Sequence, residues 1–164
     1  MEKENEIVKK LKNFLKENLV RATVPKERRI FVCIKKDALK DAVKYLVKDL
    51  KFKHLSTITG VDLGGKIEVI YHMAYKGSIV LSTRLTVSEK NPSVQTITDL
   101  IPGAVLYERE VHDLLGVNFE GHPDLSPLML PEEWPQGVYP LRKEHELEHL
   151  KEITSKKSKR EEKN

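Results

Sequence analysis

Three consecutive strand-like segments, at 54–63, 66–75 and 78–87, constrain the fold of this chain more than any other feature. They are separated by Gly64-Gly65 and Lys76-Gly77, short turns that suit a backbone with positive φ. Apolar residues alternate along the second and third segments, as in strands with one buried face. The spacing predicts an antiparallel meander. Its alternating residues are Ile67, Val69, Tyr71 and Met73, then Ile79, Leu81, Leu85 and Val87.

Helical patterns precede the meander. Apolar residues recur at helical spacing over 4–20, which predicts an amphipathic helix, and Pro25 closes the connection that follows it. The segment 29–35 is rich in β-branched and aromatic residues and reads as a short strand. Asp37 is placed to cap a second helix whose apolar stripe runs to Leu50. We expect this helix to pack against the sheet.

The chain changes character at Gly116. Before it, Ser93 is placed to cap a short helix through Leu100, and a second helix covers 104–115. After it, no periodicity survives, and five of the eight prolines occur there. We therefore expect an α+β domain at 1–115, with a mixed, largely antiparallel four-stranded sheet and helices packed on it. An extended C-terminal segment would follow.

That segment, residues 116–147, retains apolar side chains that a solvated linker would lack. A long loop of this kind in a small domain is usually functional or disordered. We interpret it as lying along the surface of another protein, while folding back onto its own domain is the alternative. Residues 148–164 are predicted to form a charged, disordered tail. The apolar residues are Leu125, Leu128, Met129, Leu130, Trp134, Val138, Tyr139 and Leu141.

Composition favours a soluble globular protein. The 164 residues suit one domain of roughly 100 to 150 residues with some chain left over. No run approaches the roughly 18 apolar residues of a membrane span, and the first residues lack the apolar core of a signal peptide. We therefore expect a protein that stays inside the cell. Abundant Lys and Glu, with one Cys and two Gln, are typical of thermophile-like surfaces.

The single cysteine, Cys33, excludes an internal disulfide, and it excludes an iron–sulfur cluster that needs about four thiolates. The net charge of +4 raises the alternative of nucleic-acid binding. However, residues 151–164 hold six of the 29 basic and three of the 25 acidic residues, which leaves 23 and 22 in the body. The body therefore lacks the basic excess of a dedicated nucleic-acid binder.

The run from His145 to His149 is a literal HExxH, the helical motif in which two imidazoles bind zinc and a glutamate activates water. A zinc hydrolase is therefore a second alternative. Its context is poor, because a catalytic site needs a third protein ligand and a cleft, whereas only fifteen mostly polar residues follow His149. Stoichiometric zinc in the purified protein would favour this reading.

The helix at 104–115 crowds charged residues beside an apolar face formed by Ala104, Tyr107, Val111, Leu114 and Leu115. Its charges include two pairs at i,i+4 spacing, each contributing only a few tenths of a kcal/mol if exposed. From the pattern alone, this would be a solvated helix face. The charged residues are Glu108, Arg109, Glu110, His112 and Asp113.

The sequence from Thr96 to Lys143, above all EREVHDLLGVNFEGHPDL followed by PEEW and YPLRK, resembles the signature of the complex I 30-kDa subunit family. Membrane-bound hydrogenases share this family. Two departures, Ser126 after the HPDL run and His112 in place of an aromatic residue, suggest the hydrogenase-like branch. The resemblance assigns partner binding to Glu108, Arg109, Glu110, Asp113, Gly121, His122, Pro123, Asp124, Leu125, Trp134, Arg142 and Lys143.

The resemblance implies a structural subunit with no active site, cofactor or metal of its own. It would stand at the cytoplasmic face of the membrane, attached only through its complex. Its partners would be the large catalytic subunit, which is 49-kDa-like or a hydrogenase large subunit, and the small iron–sulfur subunit. Iron–sulfur clusters, and a nickel–iron site in a hydrogenase, would belong to those partners. Arg109 and Arg142 are the favoured partner contacts, since a guanidinium pairs well with carboxylates at interfaces.

Overall fold

The fold is an α+β domain, in which the computed structural model describes residues 1–75, 78–148 and 150–152. Short 3-10 turns at Lys16–Asn18 and Lys36–Ala38 join some of the main elements. In chain order those elements are α1 (Glu2–Leu15), β1 (Leu19–Lys26), β2 (Arg29–Ile34), α2 (Leu39–Lys48), β3 (His54–Asp62), β4 (Lys66–Tyr75), β5 (Ile79–Ser88), β6 (Ser93–Gln95), α3 (Ala104–Leu115) and β7 (Asn118–Glu120).

The main sheet is mixed and mostly antiparallel, with the order β1-β2-β5-β4-β3. Only β2 and β5 pair in parallel among these neighbours. The predicted meander is confirmed as β3–β4–β5, and Gly64 and Gly65 have φ of 78° and 79° at its first turn. The second predicted turn, Lys76-Gly77, lies outside the described residues. The local pattern therefore specified three adjoining strands, from the edge strand β3 to the central strand β5.

The predicted four-stranded sheet and the predicted helix at 4–20 are both wrong, and for the same reason. The helix ends at Leu15, because Lys16 takes a left-handed φ of 48°. The chain then forms the fifth strand, β1, which pairs with β2 at the edge of the sheet. Pro25 lies within this strand, and an edge strand tolerates proline because one side of its backbone needs no partner.

Two predicted helix starts are also wrong. No side chain caps α2, and Asp37 instead lies in the 3-10 turn before it. Ser93 starts a strand, β6, that pairs in parallel with β7, and its hydroxyl donates to Glu120. The partner of β6 comes from more than twenty residues further along the chain. Local capping signals cannot reveal such a pairing.

The core lies on one face of the main sheet. Alternate residues of β2, β4 and β5 form a single apolar cluster with α1, α2 and α3. α3 packs directly over β3 at Gly60, where any side chain would overlap Leu115. The opposite face carries Ile70 and Ala74, which are buried between neighbouring strands but lie outside that cluster. The helices therefore cover one face only, and α3 is fixed to it by close backbone approach.

Candidate functional site

The helix α3 carries most of the charged residues singled out from the sequence. Val111 and Leu115 are buried against the sheet, and the helix ends at Gly116, whose φ of 73° is left-handed. The Gly116 N–H donates to the carbonyl of His112, which satisfies one of the last free carbonyls of the helix. A sharp stop here turns the following chain back across α3.

Glu108 is completely buried, so the expectation of a solvated charged face is wrong at this position. Its Oε1 accepts the N–H of Ile97 at 2.8 Å, and its Oε2 lies beside the Thr96 hydroxyl. The same hydroxyl is 3.0 Å from the Thr98 hydroxyl. Burial raises the pKa of Glu108 to about 7, although the bonds from Thr96 and Ile97 oppose the shift. A protonated Glu108 can donate to Thr96, which leaves the Thr96 proton for Thr98.

His122, which follows β7 in the chain, contacts the same region. Its side chain is fully buried, with Nε2 3.1 Å from the carbonyl of Val105 and 4.0 Å from the Glu108 carboxylate. Because a carbonyl only accepts, Nε2 carries the proton. Nδ1 then accepts the N–H of Asp124 at 3.1 Å. His122 thus ties the turn at Gly121, where φ is 83°, to the start of α3.

Asp113 holds the C-terminal segment against the end of α3. It is 8% exposed, and its Oδ2 accepts three successive backbone N–H groups, from Leu128, Met129 and Leu130, at 2.8, 2.8 and 3.1 Å. Bonds from backbone N–H groups to a carboxylate are among the stronger hydrogen bonds in proteins. One side chain therefore fixes the backbone of three consecutive residues.

Arg109 holds the residues just before this anchor. Its Nε donates to the Ser126 carbonyl at 3.0 Å, and its NH2 group donates to the Ser126 hydroxyl and the Pro127 carbonyl, each at 2.9 Å. Asp124 accepts the Ser126 N–H at 2.8 Å and its hydroxyl at 3.0 Å. These bonds hold the pKa of Asp124 below its usual value. Ser126, noted in the sequence as a departure from the family pattern, is the residue that both side chains hold.

The last predicted residues, Arg142 and Lys143, fasten the end of the segment. Arg142 donates from Nε to the Leu115 carbonyl at 2.9 Å, and its guanidinium lies 4.6 Å from the centre of the Tyr139 ring. The Lys143 N–H donates to Asp62 at 2.9 Å. This bond and one from the Gly64 N–H lower the pKa of Asp62. Asp62 was not singled out from the sequence, because its partner is 81 residues away.

The structure thus brings most of the predicted residues together around one feature, the segment after Gly116. Glu108 and Asp113 are buried, whereas Glu110 and Trp134 are half-buried and Pro123 is exposed. A fully buried Glu108 has no surface to offer a partner, so any effect on one must pass through the residues it holds. That the whole set binds a partner stays a prediction, as does the role of residues 116–147.

Gly116→Ala is expected to loosen this segment. The left-handed φ costs a non-glycine residue about 1 to 2 kcal/mol, and the new Cβ would also overlap the Tyr139 ring. Gly137→Ala is the matched control, because its φ of 76° carries the same conformational cost with open space around it. Urea unfolding should show a larger loss of stability for Gly116→Ala. Equal losses would mean that the Tyr139 contact contributes nothing.

Apolar side chains stand out on the held segment. Leu128 is 39% exposed and Met129 is 58% exposed, on the backbone that Asp113 fixes. Leu141 and, on α3, Leu106 are also exposed. Contiguous exposed apolar patches are typical of interaction surfaces, which makes these residues candidates for one. We call Leu128 and Met129, with the Asp113 anchor beneath them, the docking ridge.

A zinc site was the second alternative that the sequence raised. At 1–75, 78–148 and 150–152, no group of three or more His, Cys, Asp or Glu side chains is placed to hold a metal ion. The second histidine of the HExxH run, His149, lies outside the described residues, as do residues 153–164 of the predicted tail. No helix in the described ranges is long and apolar enough to cross a membrane.

Comparison with known proteins gives the class. The family model for the 30 Kd subunit of respiratory-chain NADH dehydrogenase matches residues 32–151. The C subunit of F(420)H(2) dehydrogenase from Methanosarcina mazei is 33% identical over 143 residues, covering 85% of this chain and 90% of that protein. The C/D subunit of NADH-quinone oxidoreductase from Phocaeicola vulgatus is 41% identical over 96 residues, covering 56% of this chain and 18% of that one.

A solved structure adds the fold. A chain in the membrane-bound sulfane sulfur reductase, an archaeal respiratory membrane complex, superposes with a TM-score of 0.81 at 27% identity, covering 94% of this chain and 91% of that one. The chain therefore belongs to the 30-kDa subunit family of respiratory-chain NADH dehydrogenase. Like the C subunits among its relatives, it is a component of a complex I-related respiratory oxidoreductase.

Proposed function

We propose that this chain is a non-catalytic structural subunit that docks on the large catalytic subunit of its complex through the docking ridge. The observation that carries the proposal is the combination at Asp113. Three backbone N–H groups are held by one buried carboxylate, and Leu128 and Met129 are presented to solvent above it. A surface fixed before binding loses little conformational entropy when a partner covers it.

The choice of the large subunit as partner is supported by the Phocaeicola vulgatus relative. Its name joins a C and a D subunit, and this chain matches 18% of its length. A C part that continues into a D part in one polypeptide must lie near it. We infer that the 49-kDa-like D subunit is the neighbour covering the ridge, with the small iron–sulfur subunit also in the assembly. Iron–sulfur clusters belong to those partners in this proposal.

Three kinds of parent complex fit. A [NiFe] hydrogenase-type complex that couples electron transfer to ion translocation is favoured by the departures at His112 and Ser126. A sulfur-reducing complex is favoured by the likeness, over 94% of this chain, to a chain of the sulfane sulfur reductase. A quinone-reducing relative is the third possibility within the family. In each case we place the subunit on the cytoplasmic side, attached to the membrane only through its complex.

Affinity purification of the tagged chain from its native membranes, followed by mass spectrometry, tests this function. We expect the large subunit and the small iron–sulfur subunit in equal amounts with the chain. A large subunit with two cysteine pairs able to bind nickel would identify a hydrogenase, and one lacking them would favour the other parents. Recovery of the chain alone, under conditions that keep the rest of the complex intact, would contradict the proposal.

A further inference from the structure

A groove of about 280 Å³ lies beside the docking ridge, between the end of α3 and the C-terminal segment. His112 and Asp113 form its helix side, and Glu132, Trp134 and Tyr139 belong to the segment side. Its volume is just below the range of about 300 to 1,000 Å³ that is usual for small-molecule sites. The groove is therefore small, and it is large enough for a single long side chain.

Asp113 and His112 each leave an acceptor atom in this groove. All three N–H bonds to Asp113 go to Oδ2, so Oδ1 is left as an acceptor on a residue that is only 8% exposed. His112 Nδ1 lies 2.9 Å from the Val117 carbonyl and must donate to it, so Nε2 of the neutral ring also accepts. The Trp134 N–H is already used, since it donates to the Val138 carbonyl at 2.7 Å.

The charges around the groove also favour a cation. Asp113 and Glu132 are both acidic, and the carbonyl end of α3 adds negative potential. No Lys or Arg is among the described residues that line the groove. The guanidiniums of Arg109 and Arg142 donate to this chain's own backbone, at Ser126 and Pro127 and at Leu115. A cation entering the groove would meet two carboxylates, of Asp113 and Glu132.

The walls suit a cation on an apolar stem. Trp134 and Tyr139 line the groove together with three prolines, at 127, 131 and 135. Aromatic faces attract guanidinium groups, and arginine is enriched among the residues that contribute most to interfaces. Because Arg142 of this chain already lies 4.6 Å from the centre of the Tyr139 ring, Trp134 is the aromatic wall that we assign to the partner. We propose that this groove receives an arginine side chain of the large subunit, with Asp113 and Glu132 as its charge partners. The inference rests on the proposed function and names the chemistry of its contact.

The chemistry can be tested on the full chain alone. Butylguanidinium is the probe, and butylurea, which is similar in shape but uncharged, is its control. Trp134 is the single tryptophan, so its fluorescence reports the groove directly. We expect saturable millimolar binding of the guanidinium, at least ~10-fold stronger than that of the urea, and weakened about as much by Glu132→Gln. Equal binding of both probes, or binding of neither, would overturn the proposal.

Matched variants sharpen this test. Asp113→Asn keeps an oxygen for the three N–H groups and removes the charge, so we expect it to weaken guanidinium binding as Glu132→Gln does. Glu17→Gln, at an exposed acid in the turn after α1, should bind the probe like the wild type. Deleting 153–164, which contain five Lys or Arg, checks this chain's own cations. A Trp134 emission shift with tighter probe binding after that deletion would make the tail the occupant and overturn the partner assignment.

Binding to the purified large subunit separates this inference from the proposed function. We expect Glu132→Gln and Asp113→Asn to raise the dissociation constant at least ~10-fold, with Glu17→Gln unchanged. If wild type and groove variants bind the large subunit equally, the groove inference fails and the proposed function stands. If even the wild type does not bind, the proposed function fails and the arginine assignment fails with it.

Discussion

Asp113→Ala is expected to release residues 128–130 from α3 and to lower the free energy of unfolding by about 3 kcal/mol. Each bond to a charged acceptor contributes about 1.5 to 3 kcal/mol, and the three freed N–H groups recover part of this by binding water. Hydrogen–deuterium exchange should show the change locally. The amides of Leu128, Met129 and Leu130 should exchange much faster, whereas those of β4 should keep their protection.

Asp113→Asn is the control for this prediction. Its amide oxygen still accepts from the same three N–H groups, although without a charge, so the loss should be clearly smaller than for alanine. If the amides at 128–130 exchange as slowly in Asp113→Ala as in the wild type, the carboxylate does not hold the segment. The docking ridge would then lack its proposed support.

The second large effect is a pH dependence that originates at Glu108. Burial raises the pKa of this carboxyl from about 4.5 to about 7. Below pH 4.5 the group is neutral in both the folded and the unfolded chain. Between 4.5 and 7 the folded chain keeps a proton that the unfolded chain releases, so stability falls as pH rises. The full loss, reached above pH 7, is about 3 kcal/mol, since one pKa unit corresponds to 1.36 kcal/mol.

Glu108→Gln, which resembles the protonated acid, should abolish this loss. Urea unfolding of both proteins between pH 5 and pH 8 would give the difference in stability at each pH. His72 contributes a slope of the opposite sign, because burial lowers its pKa and its stabilising effect is lost as pH falls. That contribution is common to both proteins and cancels in the difference. Parallel stability curves would show that Glu108 does not titrate in this range.

The parts of the fold that the sequence predicted are those set by neighbouring residues. Alternation and the Gly64-Gly65 turn specify the meander, and helical spacing between Ala104 and Gly116 specifies α3. The missed elements depend on distant partners. β1 is an edge strand that contains Pro25, and β6 pairs with a strand that follows α3. Neither pairing leaves a local signal.

Prediction of the site was also limited by partners that are distant in sequence, except at Glu108. The pattern alone indicated a solvated charged face on α3. The partners of these charged residues, such as the N–H groups at 128–130, come from a part of the chain without periodicity, so the pattern did not reveal them. Glu108 did carry a signal. It follows Ala104 by four residues and precedes Val111 and Leu115 by three and seven, so helical spacing alone places it within the buried stripe. A carboxyl at such a position needs buried donors, which Thr96 and Ile97 supply.

The class of complex came from the resemblance to a known family and not from the residues alone. It also assigned the matching positions to partner binding as one set. The structure divides that set by what each residue touches. Arg109 and Asp113 bond from α3 to the C-terminal segment, and Arg142 bonds from that segment back to Leu115. Leu128 and Met129, outside the set, are the side chains turned outward. In the proposed docking, the charged residues shape the surface and the apolar residues make contact.

The most direct test of the proposed docking is the affinity of the large subunit for a chain in which both ridge residues are changed, Leu128→Asp with Met129→Asp. Val20→Asp is the control, since Val20 is 67% exposed on the edge strand β1, outside the C-terminal segment. Leu128 is 39% exposed, so urea unfolding of each variant is measured first and the comparison of affinities uses conditions in which all variants are folded. We expect the ridge variant to bind the large subunit at least ~10-fold more weakly, and Val20→Asp to bind normally. Equal binding by the ridge variant and the wild type would contradict docking through the ridge.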